Sequence, residues 1–269
     1  MTLTTGTAFR ALAGEAFADA IRRRIVPVIV VISLLSLMAV DGCTRCATGQ
    51  LDVNGQVVPM ADLAGWTGMV IFSALALWTM VLAGVVASDH LSHPLTDGSA
   101  ALSLARPVSR NTFALSRLAG ALAISYATGA LLLGGTAALL AVRTGAAPGA
   151  ALWAGAACAA GSFTVACLSM TSSLWLPQIA TALLVFASVG AVAAVNLVGQ
   201  FGAELGGFLG AIEHYGPPLA TSVIVALGPW IEPTAVRGEP LELAVRSALW
   251  CAASGGLLLA SFHRLELGR

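Results

Sequence analysis

Six apolar runs without a single Asp, Glu, Arg, Lys or His divide this chain, with charged and turn-forming residues between them. They are Ile25–Val40, Trp66–Ala87, Leu118–Val142, Ala150–Leu174, Ile179–Val198 and Ala248–Phe262. A hydrocarbon core about 30 Å thick takes about 20 helical residues at 1.5 Å each, so each run reads as a membrane-crossing helix. The first and last are short as bare runs. They are expected to extend into Ile21–Arg24 and Leu243–Ser247, with arginine heads reaching back to the interface. At 58% hydrophobic residues, a soluble domain has no way to hide so many apolar stretches. The expected fold class is an all-α integral membrane protein with six spans, forming one domain over residues 1–269.

Arginine placement sets the orientation. With both termini cytoplasmic, the inner side holds Arg10, Arg22, Arg23, Arg24, Arg106, Arg110, Arg117, Arg264 and Arg269, against Arg45, Arg143, Arg237 and Arg246 outside. That excess favours a topology with N and C termini inside. Residues 8–24 read as an amphipathic interfacial helix, with Phe9, Leu12, Ala13, Ala16, Phe17, Ala20 and Ile21 on one stripe. The alternative is a cytoplasmic start of the first span. No small-residue cleavage site follows a short apolar core there, so no cleavable signal peptide is expected.

Two outer segments are expected. Residues 41–65 form a polar loop with turn signals at Asn54-Gly55 and Pro59. Residues 199–242 hold two apolar patches, Leu205–Ile212 and Leu219–Ile231, too short to span between their prolines. They read as short interfacial or re-entrant outer helices. Small residues at four-residue spacing predict close helix contacts: Ala119, Ala123 and Ala127, Gly155 with Ala159, and Ala157 with Gly161.

The residue inventory excludes several chemistries. All thirteen basic residues are arginine. Without lysine there is no Walker phosphate loop and no Schiff base. Net charge is zero and no dense basic stripe suggests nucleic acid. With no ionisable group inside the apolar runs, a proton-driven carrier or intramembrane hydrolase is disfavoured. Intramembrane Ser125, Tyr126, Ser162, Thr164, Ser169 and Asn196 read mostly as interhelical hydrogen bonders. His90 and His93 are spaced as an HxxH pair but read as solvated loop histidines, and no metal site is assigned. Cys158, Cys167 and Cys251 read as small packing residues. Cys43 and Cys46 form a CxxC in the outer loop: a structural disulfide or free thiols on one reading, a metal or redox pair on the other.

The loop Ser88–Arg117 concentrates the remaining signal. Asp97-Gly98 forms a turn, Ser99–Ala105 has the pattern of a short helix, and Pro107 ends it. The chain re-enters a helix at Ser109–Asn111. Arg106 and Arg110 are then presented at the cytoplasmic face, suited to carboxylates on a partner or to lipid phosphates. The alternative is that they only enforce topology and bind headgroups.

The run Asp97-Gly98-Ser99…Leu104-Ala105-Arg106-Pro107-Val108-Ser109-Arg110…Leu115-Ser116-Arg117-Leu118-Ala119-Gly120 resembles permease subunits of type-2 ABC exporters, and so does the ending Ser261–Leu267. Ser99 stands for the usual threonine and Arg117 for the usual lysine. The acidic residue before the glycine turn is replaced by the stretch Asp89–Pro94. The resemblance implies that residues 88–113 are the cytoplasmic coupling element between spans two and three, contacting a separate ATPase through Asp97, Gly98, Leu104, Arg106, Pro107, Val108, Ser109 and Arg110. It further implies two ATPase subunits carrying ATP and Mg, a second permease subunit making a homodimer or a pair, and a bacterial inner-membrane location. This chain is then a transport subunit, not an enzyme, and binds no cofactor itself. The competing reading is a non-transporting membrane scaffold or sensor that recruits a periplasmic protein through 199–242.

Overall fold

The computed structural model describes residues 5–22, 31, 33–38, 41–42, 50–53, 56–96, 109–144, 148–200, 202, 205–231 and 236–264. It is a bundle of long helices around one trunk. Helix α1 covers Thr5–Arg22 and α2 covers Met60–Thr96. Then come α3 (Arg110–Thr144), α4 (Pro148–Ser172) and α5 (Gln178–Gln200). Two short helices, α6 (Gly207–Tyr215) and α7 (Leu219–Ala226), lead through a 3-10 turn at Gly228–Trp230 to α8 (Pro240–Arg264). Among the described residues, five helices are long and apolar enough to cross a membrane: α2, α3, α4, α5 and α8. Of the first expected span, residues 31 and 33–38 are helical, and 25–30, 32 and 39–40 lie outside the described residues.

Helix boundaries follow local chemistry. Pro148 and Pro240 open α4 and α8, where a missing N–H costs nothing because the first-turn donors have no helical acceptor. α8 begins before Leu243, so the extension expected for the last span is present. Part of the segment 41–65 is more regular than expected. Strands β1 (Gln50–Val53) and β2 (Gln56–Pro59) pair antiparallel, with Val53 opposite Gln56. That register leaves only two residues, 54–55, between them, as a tight hairpin requires.

α2 corrects the sequence reading most. The apolar run ends at Ala87, yet the helix continues to Thr96, so Ser88–Thr96 is not a loop. Its 37 residues reach about 55 Å at 1.5 Å per residue, well beyond a hydrocarbon core. Positions 83, 86, 87, 90 and 91 carry one buried face past the first polar residues.

Packing depends on glycine at two crossings. A Cβ on Gly84 of α2 falls 2.6 Å from Val185 of α5 and 2.8 Å from Val165 of α4, so only glycine lets the three helices meet there. Ser169 of α4 uses that approach to donate to the Gly84 carbonyl at 2.6 Å. At the other crossing, a Cβ on Gly120 of α3 falls 2.7 Å from Ala16 Cβ, which seats α1 across α3. In lipid, where apolar burial between helices gains little, such close contact supplies the cohesion. The expected ridges score unevenly. Gly161 packs on Met80, whereas Ala123 and Ala127 face outward and Gly155 has no heavy atom near its Cβ position.

Residues 205–231 return into the bundle. α6 stays at the periphery with no buried residue, while α7 buries Leu219, Ala220, Val223 and Ile224 in the core of α2, α4 and α5. Phe72 of α2 meets Trp230 edge to face, with ring centroids 5.5 Å apart. The two apolar patches therefore form two short helices of different kinds.

Candidate functional site at the Arg110 end of the bundle

The end of the bundle where α2 stops and α3 starts gathers the buried charged side chains and the buried histidine of the described residues, and the reason is geometric. α2 and α3 both overshoot the apolar layer, and their polar ends meet each other. Asp89 and His90, in α2, are 8% and 6% exposed, and Arg117, in α3, is 6% exposed. All three stood outside the apolar runs in the sequence, His90 as a solvated loop residue. Tertiary packing buries them because Leu91 and Leu118, both buried, belong to the same faces.

Each group is held by a named contact. Asp89 Oδ1 accepts a hydrogen bond from Gln178 Nε2 at 2.9 Å, tying α2 to the first residue of α5. The Arg117 guanidinium lies 5.4 Å over the Phe113 ring, and the Phe113 ring stacks on Phe262 of α8 at 6.1 Å. A cation over an aromatic face is stabilised by about 0.5–2 kcal/mol, more when water is excluded. Arg117 Nε itself is buried without a hydrogen-bond acceptor.

Ser109 is the N-cap of α3. Its hydroxyl oxygen accepts the Thr112 N–H at 3.1 Å and lies 2.7 Å from Thr112 Oγ1. The chain thus re-enters a helix where the sequence places it. Arg110, the first helical residue, donates from Nη1 to the His263 carbonyl at 3.5 Å. A cation at the C-terminus of α8 complements its negative end. Asp97, Gly98, Leu104, Arg106, Pro107 and Val108 lie outside the described residues, as do Cys43 and Cys46. Gln178 was not singled out by sequence reasoning. Its position directly after Pro177, at the mouth of a helix, was the signal available.

α2 is thereby linked to α5, and α3 to α8, at one end of the bundle by side-chain contacts. Among the described residues no cluster of three or more His, Cys, Asp or Glu side chains is placed to hold a metal ion. Midway along the bundle, a groove of about 570 Å³ opens between α3 and α4, and Tyr126 spans it by donating to the Ala159 carbonyl at 3.1 Å. Its walls are mainly Ala, Gly and Leu, with the hydroxyls of Thr79, Ser125 and Ser162 behind them.

No protein-family model matches this chain, and no curated protein matches its sequence.

Proposed function

We propose that this chain is the membrane-spanning permease subunit of an ATP-driven exporter of the type-2 ABC class. Two copies, or one with a similar subunit, sit in a bacterial inner membrane with both termini inside and carry two ATPase subunits beneath. The observation that carries the reading is the setting of the segment 97–108. It joins two helices that overshoot the apolar layer, and its downstream end is anchored by the Ser109 cap and by Arg110 on the last helix. A push on that segment reaches α3 and α8 through Arg110, and α5 through Asp89 and Gln178. The arginine excess on that side supports the orientation. The energy source is then the partner, since a chain without lysine has no Walker loop of its own.

The test is a mild-detergent pull-down of tagged protein with mass spectrometry of what stays bound. We expect a Walker-motif ATPase, lost on joint Arg106→Glu and Arg110→Glu substitution while membrane insertion persists. Recovery of the chain without any ATPase, or an ATPase retained at full stimulated turnover after charge reversal, refutes the proposal.

A further inference from the structure

We infer that the corner between the C-terminal end of α6 and the Pro240 half of α8 binds the headgroup of a phosphatidylethanolamine, with the phosphate on Arg246 and the ammonium on the acceptors beside it. The site goes beyond the permease reading and needs only that α8 crosses a bilayer.

The corner is a pocket of about 270 Å³, lined by His214 and Tyr215 of α6 and by Arg246, Leu249, Trp250 and Ala253 of α8. The α8 residues follow one another at spacings of three, one and three, which is one face of a helix. From Arg246 to Ala253 that face runs about 10 Å at 1.5 Å per residue. Arg246 stands just before the apolar run that opens at Ala248, and Ala253 lies inside that run. The pocket therefore straddles the level where a bilayer changes from headgroup to hydrocarbon. Arg, Trp and Tyr suit that level, because each joins an apolar body to a polar tip.

Two contacts hold the site together. Arg246 Nη1 donates to the His214 carbonyl at 2.9 Å, and Trp250 Nε1 donates to the Tyr215 carbonyl at 2.8 Å. They fix the guanidinium and the indole against the end of α6. Arg246 Nε is buried without an acceptor and faces no ligand. Nη2 is the group on offer. Among the described residues it has no acceptor, and unlike Nε it is not buried.

The charges select the headgroup. Glu242 and Glu213 act on Arg246 through space, and neither bonds to it. One cation beside two carboxylates gives a purely anionic headgroup little net attraction. A zwitterion suits both signs: its phosphate takes a charge-assisted hydrogen bond from Nη2, and its cation meets the carboxylates. His214 adds an acceptor. Its Nδ1 donates to the Gly210 carbonyl at 3.1 Å, since a carbonyl can only accept, and Nε2 of the neutral ring is left as the accepting nitrogen. A primary ammonium has three N–H donors for these groups, whereas a trimethylammonium has none. The acyl chains then lie along Leu249 and Ala253, both exposed on the outward face of α8.

The experiment is native mass spectrometry of the full chain in detergent micelles, titrated in turn with phosphatidylethanolamine, phosphatidylcholine and phosphatidylglycerol of identical acyl chains. We expect the ethanolamine adduct at about tenfold lower lipid concentration than the other two, the scale of one charge-assisted hydrogen bond. Arg246→Gln, whose amide can still donate to the His214 carbonyl, should erase that preference. Ala253→Phe, which fills the pocket and removes no hydrogen bond, should erase it too, and decides the matter if Arg246→Gln does not fold. Equal adducts with the three lipids mean an unselective lipid shell and overturn the proposal, as does a preference for choline or glycerol. An ethanolamine preference that survives either substitution overturns it as well.

Discussion

Helices α2 and α8 are both long enough to cross a bilayer, yet 56% of the α2 span is buried in the protein against 17% for α8. Both carry ionisable residues near their ends, and the two helices use them differently. α2 takes Asp89 and His90 into the bundle, where Gln178 reaches the carboxylate. α8 turns its polar groups to neighbouring backbone. Arg246 donates to the His214 carbonyl at 2.9 Å and Trp250 to the Tyr215 carbonyl at 2.8 Å, closing the C-terminal end of α6. α2 is a trunk on which other helices are stacked. α8 is a strap held at a few points, with Leu241, Val245, Leu249 and Leu257 left outward for lipid or another chain. A span's hydropathy says that it enters the membrane; burial alone says whether it carries the fold.

Breaking the trunk should have the largest effect. Gly84→Val places branched carbons where Val165 and Val185 already stand, and the backbone of three helices must part. Overpacking of this kind costs about 1–3 kcal/mol, and more where no side chain can yield. A clear drop in detergent melting temperature and loss of a monodisperse peak is expected; an unchanged melt removes the trunk from the account.

The intermediate test separates the Asp89 contact from simple burial. Asp89→Ala leaves the Gln178 amide without its acceptor, at a cost of about 1–3 kcal/mol. Asp89→Asn keeps an oxygen at the same place and should recover most of the melting temperature. Equal losses in the two variants mean that charge, not this hydrogen bond, holds the helices.

The strap should give least. Arg246→Ala with Trp250→Phe removes both donors from the end of α6, a peripheral helix whose carbonyls water can reach. About 0.5–1.5 kcal/mol per bond is the usual scale, and it should appear locally. Faster amide hydrogen exchange confined to residues 207–216 is expected. Faster exchange in α7 as well would mean that α8 also clamps the buried short helix.

Much of this architecture was legible in the chain. α2, α3, α5 and α8 each contain the run assigned to them and α4 stops two residues short of its run, because a stretch without charge has no other low-energy place than lipid or a protein core. The return to helix at Ser109 was legible too, since a serine before Arg-Asn-Thr is a good cap. Asp89, His90 and Arg117 were not. Hydropathy falls at each of them, so a reading by runs stops there, whereas a helix continues wherever its next turn finds a partner. The coupling role proposed for Asp97 to Val108 rests on sequence resemblance, and Arg110 gains a structural contact that its sequence position did not announce.

The sequence by itself determined where five of the six expected membrane-length helices lie, how several begin, and that the segment 205–231 is too short and too interrupted to cross. Tertiary structure decided which apolar residues face protein and which face outward, because an all-apolar helix has no polar stripe to orient it. It also decided that α7 enters the core while α6 does not, and that Asn196, one mild polar residue among many, meets the first turn of a buried helix. Such pairings join residues 24 positions apart or more, and only packing brings them within 3.2 Å.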